Sequence, residues 1–559
     1  MDNQAAEARL KRLIERAIEL AREAGEFPAR FAPDVKVEVP ANPQHGDYAT
    51  NLALKAASIL RRSSMEIAET VVSHIELEEG FLVRAKVARP GFINFGVAPE
   101  FFIGTVHTIL EQKDDYGRSD FGLGKRVLVE FISANPTGPL HIGHARQAVI
   151  GDVLASNMEY CGYSVDREYY FNDAGRQMDL LGESLWVRYQ QLFDRDVPLP
   201  EDGYRGEYII EIARQLKEER GTELLDKELS EVLDLFRTYA SERIIKGIDR
   251  DLREFGITFD SWFSESSINR DGKTEEALEI LREKGEIYEK DGAVWFRSSK
   301  FGDEKDRVVV KSDGTTTYFA PDIAYHITKH RRGYDYAIDV MGADHHGYAP
   351  RMKAAMKAFG CPDEFLEFVL HPMASFVRGG KEIKMSTRRA EFLTLAELVR
   401  EVGKDVARFL FTTRAPQSHL VFDFDLAKRQ SDENPVYYIQ YAYARICSIL
   451  NHAEERGYAK GSWTDADFKL LTAAEEVELA KRVYRFPYEI RTSCINRDLQ
   501  RVPMYLISLV GEFHSYYNRY RVVTGNRELS LARLALVDAV RQVVRNGLTL
   551  LGISAPEKM

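Results

Sequence analysis

Cysteine is scarce in this chain: Cys161, Cys361, Cys447 and Cys494 are its four among 559 residues. They lie far apart and form no C-x-x-C pair, which excludes the usual ligand spacing of a structural zinc and the dithiol redox motif. Four reduced, packed thiols are expected. No apolar run is long enough to span a bilayer. The N-terminal stretch carries Arg9, Lys11, Arg12, Glu15 and Arg16, where a secretory leader needs an uncharged core. These absences predict a cytoplasmic protein without membrane attachment. Positive charge is also in deficit, with a formal net charge of −11. Indiscriminate nucleic-acid binding needs surplus cations to displace phosphate counterions, so any such contact must be local. No internal repeat or low-complexity stretch occurs.

What is present reads as globular and multidomain. A chain of this length exceeds a single core and predicts three or four domains. Leu10, Leu13, Ile14, Ala17, Ile18 and Ala21 recur at helical spacing, so an amphipathic helix opens the chain. Residues 84–97, broken at Pro90-Gly91, predict a strand pair that closes an α+β unit near residue 115. Val127-Leu128-Val129 with Phe131 reads as a buried strand, followed by a Pro- and Gly-containing loop. Ala145, Ala148, Val149, Val153 and Leu154 suit a helix, and Val165 to Phe171 the next strand. This is a βαβ unit whose first loop lies at the carboxyl end of a strand, where open parallel sheets bind ligands. Residues 178–300 read as an insertion. Tyr336 to Met341 predicts a strand starting the second half of the sheet, and from about 430 the pattern is helical. Between Lys481 and Arg545 there are 12 Lys and Arg against 5 Asp and Glu, a net of +7 and a candidate footprint for RNA.

The βα loop reads Ala134-Asn135-Pro136-Thr137-Gly138-Pro139-Leu140-His141-Ile142-Gly143-His144. His141 and His144 are three apart at a helix start, so their imidazoles share a face beside the positive terminus, an arrangement suited to phosphate. Gly143 between them leaves room for a flat base near the backbone. About 240 residues on stands Gly379-Gly380-Lys381-Glu382-Ile383-Lys384-Met385-Ser386-Thr387-Arg388. It combines possible glycine hinges with cations for phosphate.

These two segments resemble the paired signatures of the class I aminoacyl-tRNA synthetases, written HIGH and KMSKS. Lys384 matches the first lysine of the second signature, while Thr387 and Arg388 replace the usual Lys-Ser. The resemblance implies ATP binding by Pro136, Gly138, His141, Gly143, His144, Lys384, Met385 and Ser386. Gly342, Asp344 and His345 would lie near the ribose. His141, His144 and Lys384 would be catalytic.

Within the class, Tyr318 and Asp322 resemble the arginyl family's side-chain site. Glu265 matches a further family carboxylate and Asn135 the residue that holds the substrate's α-amino group. Ser133 and His346 complete the implied arginine site. A guanidinium with five donors and permanent charge requires such fixed acceptors. Phe92 and Asn94, in Gly91-Phe92-Ile93-Asn94-Phe95, resemble the element that reads an adenosine in the tRNA D-loop. Tyr441, Tyr517, Arg521 and Met559 resemble parts of the family's anticodon-binding domain. The cysteinyl relatives share both signatures but bind cysteine on zinc, for which no Cys/His cluster is present.

The expected fold is multidomain α/β. A tRNA-binding α+β domain spans 1–115. A Rossmann-type nucleotide-binding catalytic domain, with its insertion, spans 116–430, and an all-helical anticodon-binding domain spans 431–559. The expected substrates are ATP with magnesium, L-arginine and tRNA(Arg), with no tightly bound cofactor, no zinc and no protein metal site, and the expected state is a monomer.

Overall fold

Apolar residues at a 3.6-residue period build the first helix, Asn3–Glu23, and Leu10, Ile14, Ala17 and Ala21 along it are fully buried. The computed structural model describes residues 3–40, 42–383 and 393–559. The first helix packs on the helix Ser64–Ser73, which lies against an antiparallel sheet in the order β1-β3-β2: β1 (Tyr48–Thr50), β2 (Leu82–Ala88) and β3 (Phe92–Val97). Alternation fixes its two faces. Ile93 and Phe95 point into the core while Phe92 and Asn94 face outward.

The catalytic sheet is five-stranded and parallel, in the order β11-β10-β4-β5-β6. Its strands are β4 (Arg126–Glu130), β5 (Ser164–Phe171), β6 (Ser261–Ser264), β10 (Tyr336–Gly342) and β11 (Leu366–His371). Chain order reverses between β4 and β10, so the strand ends open a crevice there. The helix Ile142–Tyr160 crosses from β4 to β5. Its buried Arg146 donates to the carbonyls of Pro372 (2.8 Å) and Ser418 (2.7 Å).

The stretch 178–300, expected as one insertion, is interrupted. Helices Arg176–Gln191, Glu207–Arg220 and Leu229–Glu254 pack together, but the chain then returns to the sheet as β6. A four-residue strand carries too short an alternation to be separated from a loop by pattern. Beyond β6 a small antiparallel sheet forms from β7 (Ile287–Lys290), β8 (Ala293–Phe296) and β9 (Arg307–Val310).

A third small sheet, β13-β12-β14, comprises β12 (Ser375–Arg378), β13 (Lys381–Glu382) and β14 (Val421–Asp423). Gly379 (φ 58°) and Gly380 (φ 70°) make the two-residue turn that pairs Arg378 with Lys381. They form a hairpin turn with both φ values positive, where sequence suggested hinges.

The C-terminal part is helical as expected, with long helices Pro435–Glu455, Arg501–Arg519 and Arg527–Leu550. Its net positive charge has a structural explanation. Nine of the twelve cations between Lys481 and Arg545 pair with carboxylates, among them Lys481–Asp47, Arg491–Glu7, Arg497–Glu367 and Arg545–Asp114 across domains. The surplus largely stitches this region to acids elsewhere in the chain. All four cysteines are buried and unpaired. Among the described residues no helix is long and apolar enough to cross a membrane.

Candidate active site and RNA-facing surfaces

Beyond β4 the backbone turns sharply, with Ile132 (φ 70°) and Ser133 (φ 45°) in the left-handed region that non-glycine residues avoid. Packing and hydrogen bonds hold that turn. Ser133 Oγ donates to Glu130 Oε1 (2.8 Å) and accepts from the Tyr170 amide (3.2 Å). Tyr169 donates its hydroxyl to the Ala134 carbonyl (3.0 Å), and Tyr208 donates to that of Thr137 (2.6 Å). Tyr208 also stands over Gly138, where a Cβ would approach its ring at 3.2 Å. Pro136 is buried in the loop, whereas Asn135 is exposed and donates to Gln177 Oε1 (3.0 Å).

The loop delivers His141 as the N-cap of the helix Ile142–Tyr160. Its Nδ1 accepts from the Gly143 amide (3.1 Å), while His144 Nδ1 accepts from the His141 amide (3.3 Å). The rings stack with centroids 3.9 Å apart. Burial, followed by the neighbouring His141, lowers His144 to about 3, and burial lowers His141 as well. Both rings are therefore neutral near pH 7. With each Nδ1 accepting, the ring proton sits on Nε2. The pair presents N–H donors at a helix N-terminus. The space over Gly143, expected to admit a base, is filled by His141, since a Cβ there would lie 2.7 Å from the ring.

Two acids lie across the crevice. Glu265 opens the short helix after β6, and Asp173 secures that junction by accepting from the hydroxyls of Ser264 (2.6 Å) and Ser266 (2.9 Å) and the Ser266 amide (2.9 Å). Asp173 thus positions Glu265. Asp322 lies in the first turn of the helix Phe319–Arg331 and accepts from the Tyr348 hydroxyl at 3.0 Å. Burial raises Asp322 to about 6, with Glu265 and Glu130 adding to the rise and His326 and Tyr348 opposing it. Glu265 is also raised, by burial first and Asp173 later, against Tyr170. The Tyr170 hydroxyl, buried without a hydrogen-bond partner, is raised by burial and then by Glu265 and Asp322. Partly desolvated acids facing one pocket form a receptor for a cation. Tyr318 caps the Asp322 helix, is 67% exposed and accepts from Arg351 (2.8 Å).

Gly342 ends β10, and the turn Ala343–Gly347 carries Asp344, His345 and His346, all exposed. Asp344 folds over Gly342 and approaches His345 at 3.6 Å. Lys384, Met385 and Ser386, with Thr387 and Arg388, lie outside the described residues. The described chain leaves at Ile383, whose amide donates to Phe376 (2.8 Å). It returns at Leu393, whose carbonyl accepts from the Ile142 amide (2.9 Å). The return point is therefore pinned to the His141 loop.

Sequence pattern missed a row of acids beneath this site. Asp339, Glu130 and Glu168 are register partners on three adjacent strands. Like charges in that position repel. The helix Phe319–Arg331 and the residue after it supply the counter-charge. Buried Lys329 donates to Glu130 and Asp339, both at 2.6 Å, and Arg332 pairs with Glu168 (2.7 Å). Tyr325 donates to Glu130 or Glu168, each 2.8 Å from its hydroxyl. The available signal was a charged residue within each of three strongly apolar or aromatic strands.

The RNA-facing candidates occupy two surfaces. Phe92 and Asn94 share the outer face of β3, opposite Ala88 and Lys86, with Arg84 opposite Gly96. The two cations on that aromatic face were not singled out from sequence. In the helical domain, Tyr441 and Tyr517 are exposed and joined by Arg445, whose guanidinium lies 4.7 Å and 5.7 Å from their ring centroids. Tyr437 stacks on Tyr441 at 6.4 Å. Arg521 is exposed beyond the helix end at Arg519, and Met559 is exposed at the chain end.

Three family models match in order along the chain. Residues 8–97 match the arginyl tRNA synthetase N terminal domain, 105–418 the catalytic domain of tRNA synthetases class I (R), and 439–559 the DALR anticodon binding domain. The arginine–tRNA ligase of Syntrophotalea carbinolica is 45% identical, covering 99% of this chain and 100% of its own. That of Desulfosudis oleivorans is 46% identical, covering 98% and 99%. The solved Thermus thermophilus arginyl-tRNA synthetase superposes with a TM-score of 0.75 at 25% identity, over 98% of this chain and 100% of that one. With its parallel sheet, βα-loop histidines and helical C-terminal domain matched throughout their length, the chain belongs to the arginyl-tRNA synthetase family.

Proposed function

We propose that this protein activates L-arginine with ATP and transfers it to tRNA(Arg). The observation that carries the reading is the pair of half-buried, upward-shifted acids, Asp322 and Glu265, close enough for Glu265 to act on Asp322. A guanidinium supplies the permanent charge and multiple donors they lack. A pocket with buried acceptors also rejects an uncharged isostere such as citrulline, which would leave them unpaired.

Asn135 takes the α-amino group, with Ser133 shaping the turn beside it. Tyr318 and His346 border the arginine site. The arginine carboxylate attacks the ATP α-phosphorus, forming the arginyl-adenylate bond as the bond to pyrophosphate breaks. Neutral His141 and His144 donate from Nε2 to phosphate oxygens at the helix N-terminus, where positioned donors offset developing charge. Pro136, Gly138 and Gly143 shape the loop against the nucleotide, and Gly342, Asp344 and His345 border its ribose. Lys384, Met385 and Ser386 are assigned to the phosphate loop by their match to the second signature. In the second step a ribose hydroxyl at the tRNA 3′ end attacks the adenylate carbonyl and releases AMP. Phe92 and Asn94 are assigned to the D-loop, and Tyr441, Tyr517, Arg521 and Met559 to the anticodon side.

Among the described residues no cluster of three or more His, Cys, Asp and Glu could hold a metal ion. Magnesium enters with ATP as part of the nucleotide substrate. The proposed working unit is a monomer acting in the cytoplasm.

A charging assay across all amino acids with matched tRNAs tests the reading. Arginine alone should be attached to tRNA(Arg), and preferential charging of another amino acid would overturn it. Gly143→Ala should reduce arginine-dependent ATP–pyrophosphate exchange, assayed with tRNA present, by about 10²-fold, as for loss of one preorganised donor. Its Cβ would displace the His141 ring. Retention of the parent rate would remove His141 from the phosphate site.

A further inference from the structure

Resting on the arginine-activating reading, we propose that His326 is a positioning residue for arginine selection. Held between the β10 carboxylate and the main chain of the specificity helix, it sets where the Asp322 carboxylate meets the substrate guanidinium.

His326 is almost wholly buried, 3% exposed. Its Nδ1 lies 2.7 Å from the Asp322 carbonyl and its Nε2 2.7 Å from Asp339 Oδ2. Both neighbours are acceptors, so each ring nitrogen faces an oxygen that an N–H can satisfy. The ring thus fastens the first helical turn, which carries Asp322, to the central sheet. Lys329 occupies the other Asp339 oxygen at 2.6 Å. That carboxyl is disfavoured as an anion by burial, yet Lys329 and His326 together hold it at about 2.

The groups around Asp322 come from every neighbouring element. His326 lies on its own helix, Glu130 on β4, Tyr170 on β5, Glu265 after β6 and Tyr348 on the following helix. Two are acids whose charge favours protonating Asp322. His326 and the Tyr348 hydroxyl act against this, both lowering Asp322. One ring therefore contributes twice, through the main-chain contact that sets position and through an influence that favours the ionised form of Asp322.

The experiment separates these contributions with His326→Asn and His326→Gln, assayed for tRNA charging at varied arginine, varied ATP and several pH values. The Asn amide occupies roughly the Nδ1 position and can still donate to the Asp322 carbonyl, whereas the Gln amide reaches toward Asp339 and releases the carbonyl. KM for arginine should rise about 10- to 100-fold in His326→Gln and less in His326→Asn, for loss of a hydrogen bond to or from a charged group. KM for ATP should stay within about twofold, a change near the floor set by RT. In both variants the rise in arginine KM on acidification should begin at a higher pH than in the parent, because a group that lowers Asp322 is gone. A purely structural defect would instead lower kcat or weaken both substrates together. An arginine KM within twofold of the parent in both folded variants overturns this inference alone, as does an equal loss for ATP. Should one variant fail to fold, the same outcomes in the other decide. A parent enzyme that attaches no arginine overturns the functional reading and this inference with it.

Discussion

Asp322→Asn should abolish practical arginine use and at the same time make the free enzyme more resistant to heat near pH 7.5. The two effects have one origin. An unfolded aspartate titrates near ~3.9, whereas burial holds Asp322 at about 6 in the fold. Between those values the folded chain binds more protons than the unfolded one, so stability falls as pH rises through that window. Above about 6 the full cost remains, of order 1–3 kcal/mol from the size of the shift. Asn removes the charge and can still accept from the Tyr348 hydroxyl. Its melting advantage over the parent should therefore be largest above pH 6 and shrink toward pH 4. Loss of a charged partner for a desolvated guanidinium should raise KM for arginine about 10²- to 10³-fold, corresponding to roughly 3–4 kcal/mol. Saturating arginine should raise the parent's melting temperature and leave the variant's unchanged. A variant that melts below the parent at pH 7.5, or retains the parent's arginine KM, would contradict this account.

Arg408→Met should be the most damaging single change to domain docking. Arg408 is fully buried. Its Nε donates to the Leu551 carbonyl (2.8 Å), Nη1 to the carbonyls of Phe255 and Gly256 (3.4 Å each), and Nη2 to Asp152 Oδ2 (2.5 Å). One guanidinium thereby joins the end of the last helix, the end of the long helix before β6 and the helix capped by His141. Methionine preserves much of the volume but leaves Asp152 with only Arg167 (3.1 Å) as a cationic partner. Breaking a buried pair in this way costs about 3–5 kcal/mol. The expected results are an early unfolding transition and protease cleavage near the start of the helical domain. Gly552→Ala should produce the same pattern, because Gly552 has a φ of 67° and its Cβ would fall 2.3 Å from the Arg408 guanidinium. An unchanged thermal profile in both variants would show that the junction does not depend on Arg408.

The parts of the fold legible in sequence were those encoded locally. β4, its Pro- and Gly-containing loop, the helix after it and β5 announce themselves through apolar runs and breakers. Phe92 and Asn94 were singled out by resemblance, and the alternation of β3 puts them on one face. Asp322 and Glu265 were reached by resemblance, since nothing local distinguishes a specificity carboxylate from a helix-start acid. Glu130, Glu168 and Asp339 lie in separate segments, and their adjacency depends on strand order and register. For the same reason nothing local marks the Lys329 that neutralises two of them. The basic tract from Lys481 to Arg545 failed differently. Charge was counted along the chain, while its compensation by Asp47, Glu7, Glu367 and Asp114 occurs through space.

Those same cross-domain pairs make the enzyme a caliper. The N-terminal unit meets the helical domain directly, through Lys481–Asp47 (2.7 Å), the Tyr116 hydroxyl donating to the Val483 carbonyl (3.0 Å), and Phe101 and Phe102 against Tyr484. The β3 face and the Tyr441–Tyr517 face are thus held at a separation set by a joint that bypasses the catalytic sheet. A long ligand that touches both faces is gauged for length before its end reaches the histidine loop. Loosening that joint would blur the gauge while leaving the chemistry at the loop intact.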